Sequence, residues 1–336
     1  MFKNKEYLDY SDVLIKPRLS GFDSRKDVLV SRWYIGVKSK TAFTSTPIII
    51  ANLDTTGTFE VSRALYKHDI SVALHKFYTP TQLGASRVND WVTIGMRDTN
   101  WKEKVWCART HKIIIDVANG YMVGFLEFIA KVRKAFPEHY IMAGNICTPD
   151  IIHLYAEAGV DAIKVGIGQG ALCRTRVTAG VGVPQFTAVL DCAKRAKRFK
   201  LHVCADGGIS EYADFSKALV AGADFVMAGS IFTGHDETSD EFYNGEEKFK
   251  VTYGMSSATA MNKHYGGKEA HRASEGRTVL VPYRGSIDTT AEEILGSIRS
   301  TMTYTDSGCI EDLKKAQWIR VNNVVNNTFI NQTIGH

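Results

Sequence analysis

The sequence predicts a single (β/α)8 TIM barrel spanning residues 1–336, on three observations. Short β-branched apolar runs recur eight times, helix-like segments separate most of them, and one long polar excursion follows the eighth. Runs apolar throughout suit parallel strands covered on both faces, and repeated strand–helix units build either a closed barrel or an open doubly wound sheet. Eight units favour closure, with the open sheet as the alternative. At about 150 residues per domain the length would allow two domains, but α/β barrels of this size commonly form one.

The runs read PIIIANLD (47–54), SVALHK (71–76), WVTIGM (91–96) and KIIIDVANG (112–120), then YIMAGN (140–145), AIKVGIG (162–168), HVCADGG (202–208) and FVMAGS (225–230). Between them, 59–68 carries Phe59, Val61, Leu65 and Tyr66 near one helical stripe. Residues 121–136 place Val123, Phe125, Phe128, Ile129, Val132 and Phe136 at helical spacing. Segments 185–198 and 212–221 supply the helices after the sixth and seventh strands. The stretch 233–284 breaks this rhythm, being polar and dotted with glycine. An excursion after the last strand lies over the C-terminal face of a barrel, where active sites form, so a lid is predicted there.

Composition narrows the function. Hydrophobic residues make up 44% of the chain and charged ones 23%, enough to bury a large core. The 41 basic and 36 acidic residues leave +5, too small and dispersed a charge for a nucleic-acid partner, while small anions remain fitting ligands. No apolar run approaches the roughly 18 residues of a membrane span, and MFKNKEYLDYSD has no signal-like apolar core. The six cysteines include no C-x-x-C pair. Reduced thiols in a cytoplasmic protein are expected.

Chemistry concentrates at strand ends. VGIGQGALCRTR (165–176) places three glycines just before Cys173, which Arg174 and Arg176 flank. Positive neighbours favour the nucleophilic thiolate, although a cysteine in such a fold is ordinarily a small buried hydrophobe. Cys107, Cys147, Cys192 and Cys204 lack that setting and read as structural. Asp206-Gly207-Gly208 and Ala228-Gly229-Ser230 end consecutive strands. Such turns suit an anion held by bare amides, and Asp206 suits a ribose diol.

These residues reach a family. IANLDTTGTFE, IDVANGY, GIGQGALCRTRVTAGVGVPQ, ADGGI, YGMSSATAM and HRASEGRTV, in this order, closely resemble the IMP dehydrogenase/GMP reductase family, from SDVLIKPR to about Arg320. Only a few residues follow His75-Lys76, leaving no room there for the regulatory CBS modules common in the dehydrogenases. The lid lacks their Arg-Tyr pair and carries ASEG instead. Both features resemble the reductase branch. The runners-up are a dehydrogenase without CBS modules and an inactive nucleotide-binding homologue.

The resemblance implies NADPH-dependent reductive deamination of GMP to IMP and ammonia, a purine-salvage step through a covalent thioimidate on Cys173. It makes Thr175 the proton relay to the departing amine and Glu275 the carboxyl behind it. Ribose and phosphate contacts carry over to Asp206, Gly207, Gly208, Gly229 and Ser230. Base contacts carry over to Gly254, Met255, Ser256, Arg272, Ala273, Ser274, Glu275 and Gly276. For NADPH the matching positions are Lys76, Asp116, Val117, Ala118, Gly168, Met255, His271 and Arg272. Ser24, Arg25, Ser300, Thr301, Met302 and Thr303 match contacts supplied by a neighbouring subunit, implying a homotetramer. Carbonyls of Gly168, Gly170, Cys173 and Arg176 match a potassium site.

The cysteine loop also departs from the family's usual Gly-Pro-Gly-Ser-x-Cys-Thr-Thr-Arg. Gln169 replaces proline, Ala171 replaces the phosphate-contacting serine, and Arg174 replaces the first threonine. Losing a charge-assisted hydrogen bond costs about 1.5–3 kcal/mol, and Arg174 is the expected compensation. Ser230 stands where reductases usually carry glycine, VTAGVGVPQ leans toward the dehydrogenase, and the segment 79–110 is shorter than usual.

Overall fold

The computed structural model describes residues 6–267 and 274–321. Eight parallel strands close into a barrel: β1 (Ile48–Ile50), β2 (Ser71–Leu74), β3 (Trp91–Ile94), β4 (Lys112–Asp116), β5 (Tyr140–Ile146), β6 (Ala162–Val165), β7 (His202–Asp206) and β8 (Phe225–Ala228). β8 pairs with β1 through Val226–Ala228 against Ile48–Ile50, which shuts the ring. The open doubly wound sheet is therefore excluded, and every predicted run supplies one strand.

Each strand is apolar on both faces because both faces are buried. Ile49, Ala73, Ile114, Met142, Ala162, Cys204 and Met227 fill the barrel interior. Their neighbours Ile48, Ile50, Val72, Ile113, Ile115, Ile163 and Val203 pack outward beneath the helices. A hairpin of Arg32–Ile35 and Ala42–Ser45 closes the N-terminal end. Its Tyr34 stacks on Phe225 at 4.2 Å and on Phe43 at 5.1 Å, while Trp91 and Tyr140 meet Phe43 edge-on. These rings build an aromatic floor.

The four predicted helices appear as Phe59–Leu65, Val123–Ala135, Gln185–Ala196 and Tyr212–Val220. Thr58 caps the first by accepting from the Val61 amide. The sequence reading did not resolve Trp101–Cys107, Ile152–Ala158 or the closing helix Ile287–Tyr304, and the helix after β2 is a single turn, Pro80–Leu83. Among the described residues no helix is long and apolar enough to cross a membrane.

The excursion after β8 is a folded lid. Glu241–Asn244, Glu247–Tyr253 and Thr278–Pro282 form a three-stranded antiparallel sheet, and helix Ala258–Tyr265 follows the middle strand. Its two ends are tied to each other: the Arg284 amide donates to the Gly234 carbonyl at 2.8 Å, and the Asp236 amide to the Gly285 carbonyl at 3.0 Å. The lid thus hangs from a hydrogen-bonded stem at the barrel mouth.

Candidate active site

The site forms where the lid meets the loop after β6. A cavity enclosing about 710 Å³, mouth included, lies between Gly170–Cys173, the ends of β7 and β8, and the lid residues Gly254–Ser256, Glu275 and Gly276. Of the predicted substrate residues, Asp206, Gly207, Gly208, Gly229, Ser230, Gly254, Met255, Ser256 and Gly276 line it, with Cys173 and Glu275. Ser274 is described but is not among the lining residues. Arg272, Ala273 and His271 lie outside the described residues.

Cys173, Thr175 and Glu275 are joined in one chain. Cys173 Sγ stands 3.2 Å from Thr175 Oγ1, and the Thr175 hydroxyl donates to Glu275 Oε2 at 2.5 Å. Backbone pairing sets that geometry. Cys173 forms an antiparallel bridge with Gly276, in which the Arg174 amide donates to the Glu275 carbonyl at 2.7 Å. The Arg277 amide returns a bond to the Leu172 carbonyl at 3.0 Å, and Arg277 Nε donates to the Ala171 carbonyl at 2.9 Å. On its other side Gly276 abuts the start of the lid helix, where a Cβ would lie 2.7 Å from the Ser257 nitrogen. A nucleophile, a hydroxyl and a carboxyl within hydrogen-bond reach can add to a substrate and pass a proton to a leaving group.

The neighbouring anion seat is built from glycine. Gly207 and Gly208 adopt φ of +86° and +80°, a left-handed conformation that favours glycine, and the Gly207 amide donates to the Met227 carbonyl at 3.2 Å. Asp206 beside them accepts from Lys164 Nζ at 2.5 Å and from Asn145 Nδ2 at 2.8 Å. Lys164 also pairs with Asp116 at 2.8 Å, and Asp116 accepts from Asn52 Nδ2 at 2.9 Å. Burial disfavours the Lys164 charge, but Asp116 and Asp206 outweigh it and raise its pKa. Burial likewise works against the Asp116 carboxylate, and Lys164 overcomes it, holding that carboxyl below its usual range.

The sequence reading missed Lys164, Asn52 and Asn145. Lys164 had a signal: a charged residue inside an otherwise apolar strand must find partners when buried.

Other predicted positions sort by distance from the cavity. Lys76, Asp116, Val117, Ala118 and Gly168 are not among its lining residues; Asp116 reaches it only through Lys164 and Asp206. Ser24 caps a short turn, Arg25–Asp27, that packs on helix Ile287–Tyr304, the helix bearing Ser300, Thr301, Met302 and Thr303. These residues form one region away from the cavity. The Met302 side chain is fully buried there, which removes it as a side-chain contact to any ligand.

The two loop arginines divide. Arg176 pairs with Asp9 at 3.2 Å and donates to the Val183 carbonyl and to Gln169, so it staples the loop. Arg174 is exposed and is not among the residues lining the cavity that Ala171 lines. Cys147, Cys192 and Cys204 are buried as expected of structural cysteines, whereas Cys107 is exposed.

Residues 82–328 match the family model described as the IMP dehydrogenase/GMP reductase domain. The chain is 43% identical to a GMP reductase of Caenorhabditis elegans, the match covering 98% of this chain and 96% of that protein. It is 41% identical to human GMP reductase 1, over 96% of this chain and 97% of the relative. Against human GMP reductase 2 the identity is 42%, over 97% of each.

Proposed function

The chain belongs to the IMP dehydrogenase/GMP reductase family, and from that premise we propose that it is an NADPH-dependent GMP reductase. The observation that carries this reading is the continuous Cys173–Thr175–Glu275 hydrogen-bonded chain at the wall of a nucleotide-sized cavity. Gly207, Gly208, Gly229 and Ser230 would seat the phosphate and Asp206 the ribose, with Gly254–Ser256 against the base. Cys173 Sγ adds to C2 of the purine, the bond from C2 to the exocyclic nitrogen breaks, and ammonia leaves a thioimidate. The thiol proton passes through the Thr175 hydroxyl to Glu275, which returns it by the same path to the departing amine. When bound, NADPH would supply a hydride to C2, and with the carbon–sulfur pair returned to Cys173 Sγ, IMP would leave.

The residues fit a nicotinamide nucleotide in part. Lys76, Asp116, Val117, Ala118 and Gly168 follow β2, β4 and β6 at the same mouth, and the buried Lys164 ties Asp116 to Asp206 across it. The region holding Ser24, Arg25, Ser300, Thr301 and Thr303 would serve the cofactor of a neighbouring subunit, in a cytoplasmic homotetramer. A potassium ion would take the carbonyls of Gly168, Gly170, Cys173 and Arg176. The Gly170 carbonyl already accepts the Cys173 amide at 2.8 Å and would be shared.

The deciding experiment mixes purified protein with GMP and NADPH, or with IMP and NAD, and follows nicotinamide absorbance. GMP-dependent loss of NADPH with release of ammonia is expected. A gain of NADH from IMP would instead make the chain a dehydrogenase without CBS modules. Silence in both would leave the nucleotide-binding homologue.

A further inference from the structure

Asp54 follows β1 and is buried, its side chain 3% exposed. It touches none of the catalytic groups, yet three lid side chains converge on one of its oxygens. Oδ2 accepts from His264 Nε2 at 2.6 Å and from the Tyr253 hydroxyl at 2.8 Å, and Lys263 Nζ lies 3.6 Å away. Lys263 also donates to the Tyr253 hydroxyl at 3.0 Å. The His264 ring lies flat on Phe77, centroids 3.5 Å apart with 3° between planes. Next to Asp54, Thr55 meets Thr252 hydroxyl to hydroxyl at 3.2 Å.

These contacts bracket the lid segment that walls the cavity. Tyr253 directly precedes Gly254–Ser256, and His264 sits at the far end of the helix that follows them. The start of that helix is pressed against the segment carrying Glu275: Gly276 lies so near the Ser257 nitrogen that no side chain fits between. Thr259 and Thr278 add a hydroxyl pair at 2.6 Å across the same seam. The position of the helix therefore sets where Glu275 meets Thr175.

We propose that His264 and Asp54 form the latch that holds the lid closed over the nucleotide cavity, acting as positioning residues for the reductase reaction. The proposal rests on the reductase reading for its catalytic readout, and on lid exposure for a readout independent of it. Releasing the latch lowers the fraction of molecules with a complete cavity wall. A ligand that closes the lid then binds more weakly by that fraction, while turnover at saturation is kept.

The test compares His264→Ala with His264→Gln, whose side-chain amide can donate to Asp54 from nearly the place of Nε2. Hydrogen exchange is followed at lid amides 253–265 and at barrel strands without nucleotide, and KM and kcat for GMP are measured in parallel. His264→Ala is expected to shift the lid about tenfold toward open, since one charge-assisted hydrogen bond is lost, read as several-fold faster lid exchange and a raised KM with kcat and barrel exchange retained. His264→Gln is expected to recover most of both. Unchanged lid exchange in His264→Ala, or His264→Gln behaving no better than alanine, would overturn the latch. Wild-type protein that fails to oxidise NADPH with GMP would sink the reductase reading instead, and the exchange comparison would still decide the latch.

Discussion

Two lysines are buried inside this barrel, and they live by opposite rules. Lys164 stands near the mouth, held between Asp116 at 2.8 Å and Asp206 at 2.5 Å, and burial is outweighed so that its pKa rises. Lys112 stands at the floor with a backbone partner, the Asn89 carbonyl at 2.7 Å, under the rings of Phe43 and Trp91. Burial there dominates the attraction of Asp90 and Asp69 and brings its pKa down to about 7. The same barrel thus strengthens the charge of one lysine and weakens that of the other. The mouth concentrates charge that a substrate can use; the floor tolerates charge only as far as aromatic faces and a carbonyl allow.

The largest test of that division is Cys173→Ala at the mouth. It should abolish turnover and leave both nucleotide binding and melting temperature near wild type; residual activity close to normal would mean the nucleophile is misassigned. Thr175→Val and Glu275→Gln should each lower kcat by about 10²–10⁴-fold with GMP affinity largely kept, read by steady-state kinetics beside direct binding. Equal effects on kcat and affinity would make the pair part of the seat rather than the proton path.

Lys164→Met leaves Asp116 and Asp206 facing each other without their cation. Breaking a buried pair costs about 3–5 kcal/mol, so urea unfolding at neutral pH should show a loss of that size. Asp116, held below its ordinary value of 3.8, contributes stability at neutral pH that is lost as pH falls through its lowered folded value. The floor should show a slope of the same sign in a higher pH window. With a folded value near 7 against an ordinary 10.5, Lys112 binds its proton more weakly folded than unfolded, so its contribution raises stability as pH climbs across that window. Lys112→Met should flatten that slope, and an unchanged slope would show the floor lysine keeps its charge. Arg174→Thr should change GMP affinity by less than about twofold, because the side chain does not line the cavity.

How much of this was readable beforehand follows the same physics. All eight strands were legible because burial on two faces demands unbroken apolar runs, as in KIIIDV and FVMA. Trp101–Cys107 and Ile152–Ala158 were not, being seven residues each with too few turns to establish a stripe. The lid sheet was hidden for a related reason: Glu241–Asn244 is exposed along its whole length, so no alternation marks it as a strand. Cys173 was legible from its glycine-rich loop, but the Thr175–Glu275 bond spans 100 positions and only the family resemblance suggested it. Met302 was matched from a motif, which says nothing of which way a helix faces, and its side chain is buried.

The stem beneath the lid carries a consequence for how such a molecule is assembled and altered. Since Gly234 and Arg284 are bonded to each other, the barrel sees only a short closed turn where roughly fifty residues depart and return. The ring can therefore complete its eighth strand and dock its last helix before the lid has folded. The lid can equally be lengthened, trimmed or exchanged as a cassette without disturbing the staves of the barrel. What such an exchange would disturb is the latch at Asp54 and the seam at Cys173 and Gly276, where the cassette plugs into the chemistry.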